Sequence, residues 1–414
     1  MKIIVNQYAK AFMLAASFSL VNAAHAQLEE LPVGGSFTDP EGKMVGNLNL
    51  QASASLGGMV TNNVLQDSSH LSAEGSELSL SSSLTSQSDK HLIVGSLDLL
   101  SRNIVDDAFS ELDVDLHMGT VFGRFETSEH TNIRLLLIDQ ETILGVSAED
   151  QVLGLGAGLE EMSHIEAIFE VGNAKYFANV MARYVDLETI SLQDTIVGFE
   201  EESLDRVEED LIFLFGRHFS WGKTFLFGGQ QSVEYSATAG AGFEARNSDE
   251  LRYGAGFEAE LNDFTADANI YRFTQKFDNI LIEDIERKWV GGAKISYAMD
   301  DRLDFLISVD RDFTETNIEG SGGLFIDNYF AGAMIDLPPK AYLKIGPSYS
   351  KTSIAGSKIG IRTKSIDLEA AWKFSDKAVL QLNTSISIQN VNVSMLAGLN
   401  AQTALSTLSF KYSL

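Results

Sequence analysis

The chain has no cysteine in its 414 residues. That removes disulfide frameworks, thiolate nucleophiles and thiolate metal ligands together. Prolines number only five. Proline takes a donor out of a β-ladder, so a proline-poor chain suits many long strands. No stretch supplies the roughly 20 apolar residues that a membrane-spanning helix needs, which excludes a helical membrane protein. Bases are also few: 30 Lys and Arg stand against 58 Asp and Glu, a formal net charge of −28. That sign argues against nucleic acid as a partner and against a basic patch for anionic headgroups. It favours cations, or the solubility of long surface loops.

What is present begins with MKIIVNQYAKAFMLAASFSLVNAAHAQ. Lys2 and Lys10 give a charged start, Ala11 to Val21 an apolar middle, and Ala24-His25-Ala26 a small-x-small cleavage site. These are the three parts of a secretory signal peptide, expected over residues 1–26. Residues 27–46 hold two of the five prolines and four glycines and read as an irregular arm.

From Asn47 onward the chain alternates. Leu48, Leu50, Ala52, Ala54 and Leu56 oppose Asn49, Gln51, Ser53 and Ser55. Leu251, Tyr253, Ala255, Phe257 and Leu261 oppose Arg252, Glu258 and Glu260, and Ile366, Leu368, Ala370, Trp372 and Phe374 oppose Ser365, Asp367, Glu369 and Lys373. The same holds at 77–85, 110–118, 264–270, 303–310 and 380–389. Period-two patterning is that of strands, and it fails the helical spacing test. Short Asx and Ser turns such as Ser88-Asp89, Asn262-Asp263 and Ser375-Asp376 separate many segments. Long acidic intervals at 139–162, 191–210 and 275–288 separate others.

Alternation alone fits a secreted sandwich as well as a membrane barrel. Three features favour the barrel. Several polar rows are small and uncharged, the pattern runs some 360 residues without a linker, and the last strand ends the chain. The expected fold is all-β: one transmembrane antiparallel up-and-down barrel over 47–414, of about 16 strands (14 to 18) at roughly 22–25 residues per strand and connection. Closure requires the first strand, near 47–58, to pair with the last, 404–414. Trp289, Trp372, Tyr253, Tyr297, Tyr349 and Phe374 lie near the ends of apolar rows, where aromatic girdles sit.

The final row Leu408, Phe410, Tyr412 and Leu414 resembles the closing strand and assembly signal of bacterial outer-membrane barrels, although those usually finish in Phe or Trp. That resemblance implies a bacterial cell outer-membrane location, with the bilayer, lipopolysaccharide and the barrel-assembly machinery as partners. A first strand running into Thr61-Asn62-Asn63-Val64, a hairpin over 76–103, and Leu204-Asp205-Arg206-Val207-Glu208 leading into strands at 211–219 and 223–235 together resemble the β-barrel porin type 2 family. That family's association with exopolysaccharide export implies a porin-like or polymer-conducting role and supplies no catalytic residues.

Chemistry-bearing motifs are thin. Six histidines follow the leader, at 70, 91, 117, 130, 164 and 218, scattered and without the HExxH spacing of a zinc site. Gly154-Leu155-Gly156-Ala157-Gly158 lacks the lysine of a phosphate loop. Ser163-His164, and Asp115 with His117, are the only local hints of hydrolase chemistry, so no enzyme, cofactor or metal is expected. If apolar rows face lipid, then Glu111, Asp113, Asp115, Glu258, Glu260, Asp267, Asp304, Asp310, Asp367 and Glu369 line a lumen. Carboxylate rings favour cations; the competing reading is a lumen whose acids are balanced by Arg252, Lys294, Lys344 and Lys373, with no net selectivity. The expected role is a passive pore for small cationic solutes or a polysaccharide. The alternatives are a closed surface barrel with partner-binding loops and, behind it, a barrel hydrolase. The acidic stretch 198–210 reads first as a solvated loop and, behind that, as one able to hold Ca²⁺ through its carboxylates.

Overall fold

The computed structural model describes residues 43–45, 48–62, 72–88, 90–105, 113–144, 158–191, 205–235, 247–279, 282–300, 302–314, 322–337, 340–355, 360–375, 377–391 and 401–413. The expected signal peptide lies outside them. The described residues form strands joined by turns: β1 (Lys43–Val45), β2 (Leu48–Thr61), β3 (Ala73–Gln87), β4 (His91–Ile104), β5 (Val114–Ser128), β6 (Thr131–Leu144), β7 (Gly158–Gly172), β8 (Tyr176–Ser191), β9 (Arg206–Phe219), β10 (Gly222–Tyr235), β11 (Ser248–Leu261), β12 (Phe264–Phe277), β13 (Ile285–Asp300), β14 (Leu303–Thr314), β15 (Leu324–Leu337), β16 (Ala341–Ile354), β17 (Gly360–Ser375), β18 (Ala378–Val391) and β19 (Ala401–Ser413).

From β2 onward every strand pairs antiparallel with its chain neighbours, and β19 returns to β2 from Leu405↔Thr61 to Ser413↔Ser53. The result is a closed barrel of 18 strands, not about 16. The spacing assumed from sequence was too generous: Leu48 to Ser413 is about 20 residues per strand and connection, because one set of connections is so tight. β19 reaches only as far as Ser53. The edge of β2 beyond it is taken by β1, with Lys43↔Leu50 and Val45↔Leu48. The last residues of the arm expected to be irregular are therefore a strand.

The ends of the barrel differ, and local chemistry explains one of them. Connections at one end are two or three residues long; at the other they run from five to fourteen. Ser88 Oγ accepts from the amides of Lys90 and His91, Asn173 Oδ1 from those of Lys175 and Tyr176, and Ser375 Oγ from that of Lys377. Asn262 opens its two-residue turn at φ 52°, a left-handed conformation its short polar side chain tolerates. The chain's first and last described strands reach this same tight-turn end.

The two faces follow the register. Leu78, Leu80, Leu97, Leu99, Phe213, Phe215, Leu226, Ile270, Ile366 and Leu408 are exposed on the outside, while Ser79, Ser81, Arg183, Asp210 and Arg252 occupy the opposite rows. A 15-residue strand tilted as barrel strands are climbs about 38 Å, against an apolar belt of about 25 Å. The loop-end stretches accordingly turn polar outside. On β5 this reverses the sequence reading: Asp115 and His117 share rows with Ser101 and the exposed Leu99, whereas Leu116 shares the inner row of Leu100 and Ser79. The acidic run 198–210 is corrected likewise, since Arg206–Asp210 is the start of β9.

Candidate conducting lumen

The inner wall has two unlike sides. On β18, β19, β2 and β3 it is short, polar and largely uncharged. Gln381 and Asn383 stand beside Ser409 and Thr407, and Gln51, Ser53 and Ser55 stand beside Ser83, Ser81 and Ser79. Ser83 Oγ donates to Gln51 Oε1 at 3.3 Å. Small side chains let neighbouring hydroxyls satisfy one another while leaving lone pairs and donors turned inward.

Across the barrel, β8 to β11 carry a tight ionic network. The Asp210 carboxylate, whose side chain is 1% exposed, bridges Arg183 Nη2 at 2.7 Å and Arg252 Nη2 at 3.0 Å. Arg252 Nη2 also donates to Gln231 Oε1 at 2.8 Å, and its Nε lies 3.0 Å from Glu250. Glu208 accepts from Arg206 Nε at 2.8 Å and from Gln231 Nε2 at 3.0 Å. The network forms because alternate residues of β9 (Arg206, Glu208, Asp210) meet Arg183 of β8 and Gln231 of β10 on one face. Burying such charges is costly unless each is matched, and here two guanidinium groups share one carboxylate. The sequence signal was available: alternation at 206–211 sets those three residues against Val207 and Leu211.

The residues expected to line a lumen divide. Glu258, Asp267 and Lys294 form one continuous inner row with Lys223 and Ser308, and Lys223 Nζ lies 2.8 Å from Glu258. Glu260 stands one step toward the tight-turn end on the same face. Asp304 and Asp310 share the inner face of the buried Leu306 and Ser308, and Asn328 Nδ2 donates to Asp310 at 3.0 Å. Asp367 and Glu369 are buried; Glu369 lies 3.4 Å from Lys344 Nζ and accepts from Tyr342 and from Gln381. Asp115 faces outward. Asp113 precedes β5 and accepts from the Ile104 amide and Asn103 Nδ2 instead of pointing into a channel. Glu111 lies outside the described residues.

The hydrolase hints come apart in space. Ser163 faces outward and donates to Asp139 at 3.3 Å, while His164 is buried on the inner row. His117 sits between Glu141 at 3.0 Å and Asp139 at 3.5 Å, with no serine on its ring nitrogens among the described residues. No group of His, Asp and Glu suited to a metal ion occurs among the described residues.

In the assembly-signal row, Leu408, Phe410 and Tyr412 are exposed outside next to Gly58, Leu56 and Ala54; Leu414 lies outside the described residues. Trp289, Trp372, Tyr253, Tyr297 and Phe374 are exposed on the outer surface, and Tyr349 packs 5.9 Å from Tyr329.

A closed sheet with an apolar exterior, an interior that is polar apart from a packed patch of Leu306, Phe330 and Met334, tight turns at one rim and long loops at the other leaves few readings. The fold is that of a bacterial outer-membrane β-barrel. No family model matches the chain, and no curated protein is similar to it in sequence. Among solved structures it is similar to the ferric enterobactin receptor PfeA of Pseudomonas aeruginosa, at 7% identity and a TM-score of 0.45, covering 90% of this chain and 81% of that one. The siderophore receptor PirA of Acinetobacter baumannii gives 9% identity, a TM-score of 0.43 and coverage of 90% and 81%. The FrpB iron transporter of Neisseria meningitidis gives 10%, 0.46, and coverage of 82% and 62%. At these values the likenesses say nothing of cargo.

Proposed function

We propose that this barrel sits in the bacterial outer membrane and works as a passive, porin-like channel for neutral polyhydroxylated or small cationic solutes. The observation that carries this reading is the two-sided inner wall. A strip of hydroxyls and amides on β18, β19, β2 and β3 can exchange hydrogen bonds with sugar hydroxyls at little cost in desolvation. The opposite side keeps its charges matched, so it presents dipoles more than net charge. The inner carboxylates of Glu258, Glu260, Asp267, Asp304, Asp310 and Glu369 outnumber the ammonium groups of Lys223, Lys294 and Lys344 on those rows, which tips selectivity toward cations. An 18-stranded barrel is also in the size class that leaves an aqueous channel. The resemblance of the sequence at Thr61-Asn62-Asn63-Val64, 76–103 and Leu204-Asp205-Arg206-Val207-Glu208 to the porin type 2 family extends the proposal to an exopolysaccharide export system. Its partners there would be the lipid bilayer, lipopolysaccharide and the barrel-assembly machinery.

Planar-bilayer recording tests the proposal. Open single channels, a reversal potential displaced toward the cation side under a salt gradient, and transient blocks by a neutral oligosaccharide are expected. Anion preference would overturn the selectivity, and the lack of any conductance would turn the reading to a closed surface barrel acting through its loops.

A further inference from the structure

The outer surface is not uniformly smooth. Between β9 and β12 it carries an apolar groove of about 550 Å³, walled by Phe215, Leu226, Phe257 and Ile270 and hollowed where Ala255 and Ala268 stand between them. Leu226 is 65% exposed and Phe215 59%, so the groove opens to the membrane side. At its tight-turn end stand Arg217 and Thr224, paired in register on adjacent strands.

Arg217 supplies the charge at this end. In a protein of net charge −28 it points outward and pairs with no carboxylate among the described residues. Its guanidinium carbon instead lies 5.8 Å from the Tyr176 ring centroid and 5.0 Å from that of Phe219. Phe219 stacks on Trp221 at 5.2 Å, and Tyr176 on Phe215 at 6.3 Å. Rings on both sides hold the guanidinium at headgroup level, since tight turns face the periplasm in such barrels and aromatic girdles mark the interface. A weakly hydrated planar fork with no internal anion is suited to a phosphate diester.

We propose that this groove is a binding site for one anionic glycerophospholipid of the periplasmic leaflet. Its phosphate sits on Arg217 and the Thr224 hydroxyl, and one acyl chain lies over Ala255 and Ala268 between the four large side chains. The alternative occupant of an outer-membrane barrel's surface, the lipid A of lipopolysaccharide, belongs to the opposite leaflet, at the long-loop end. A generic interface anchor would need the guanidinium but not the hollow. The site needs both.

Native mass spectrometry of the intact barrel, purified in mild detergent and offered dioleoyl phosphatidylglycerol or lipid A, distinguishes these. One phosphatidylglycerol should stay bound at activation energies that strip all others, and lipid A should not compete. Arg217→Gln should weaken retention about tenfold, and Ala255→Leu, which fills the hollow without touching charge, by a similar factor. Ala268→Leu replaces the latter if it does not assemble. Wild-type retention in the Arg217 variant, or in the filled-groove variant, overturns the proposal; so does preferential retention of lipid A. Channel conductance should be unchanged in all three variants, because every altered side chain faces away from the lumen.

Discussion

At the scale of single residues, the tightest constraint on the wall is Asp210. Its carboxylate is the shared partner of Arg183 and Arg252, so Asp210→Ala leaves two nearly buried guanidinium groups without their shared acceptor, Arg183 with Glu208 at 4.0 Å and Arg252 with Glu250. Breaking a buried pair on one side costs about 3–5 kcal/mol. The urea midpoint of the folded barrel should fall accordingly, and Asp210→Asn should recover part of the loss by keeping the acceptor oxygen. A variant as stable as the parent would show the network to be dispensable. Gly216 is a second sensitive point. A methyl group there would meet the Phe177 ring and the Thr224 carbonyl, so Gly216→Ala should destabilise by about 1–3 kcal/mol through overpacking, seen as a lower temperature of gel-shift conversion. The alternation at 206–211 carried the signal for Asp210 without its partners, and Gly216 was not legible from sequence at all. Asp210 was hidden in an acid-rich interval that reads as a solvated loop, and the closeness of Phe177 to Gly216 depends on a register that no local pattern states.

Single elements were far more legible, and for a physical reason. A strand's two faces are written directly in its odd and even residues, and hairpin turns in the Ser and Asn that cap them. The turns at Ser88, Asn262 and Ser375 and the closing pair β2–β19 followed from those signals. β5 did not, because alternation says that two faces differ without saying which meets lipid, and above the apolar belt the sense reverses. The closing seam makes its own predictions. It comprises nine register pairs from Leu405↔Thr61 to Ser413↔Ser53, against fourteen for β9–β10. Deleting 408–414 removes most of it, and the expected product is exported but never becomes heat-modifiable. Because the chain has no cysteine of its own, Ser55→Cys with Lys411→Cys, partners across the seam, should cross-link on oxidation with no background. A folded barrel that fails to do so would argue for an open seam.

For the molecule as a whole, the number of strands was the property the sequence expressed least well, since it depends on how short the shortest turns are. The sidedness of the lumen was likewise invisible one strand at a time: hydroxyl-rich β2, β3, β18 and β19 lie far apart in the chain and become one surface only on closure. The strip also joins the two extremes of the barrel's own order. Lys43 pairs with Leu50 and Ser413 with Ser53, three residues along a single edge, or about 10 Å. A short linker could therefore stitch Ser413 to Lys43 without disturbing a ladder, and the chain could be reopened at Ser220–Trp221. Such a circular permutant would finish in Phe219-Ser220, behind Phe213 and Phe215, a terminal row richer in aromatic rings than the native one. If it assembles, which strand comes last is a matter of delivery to the membrane, separable from the ring of strands it completes.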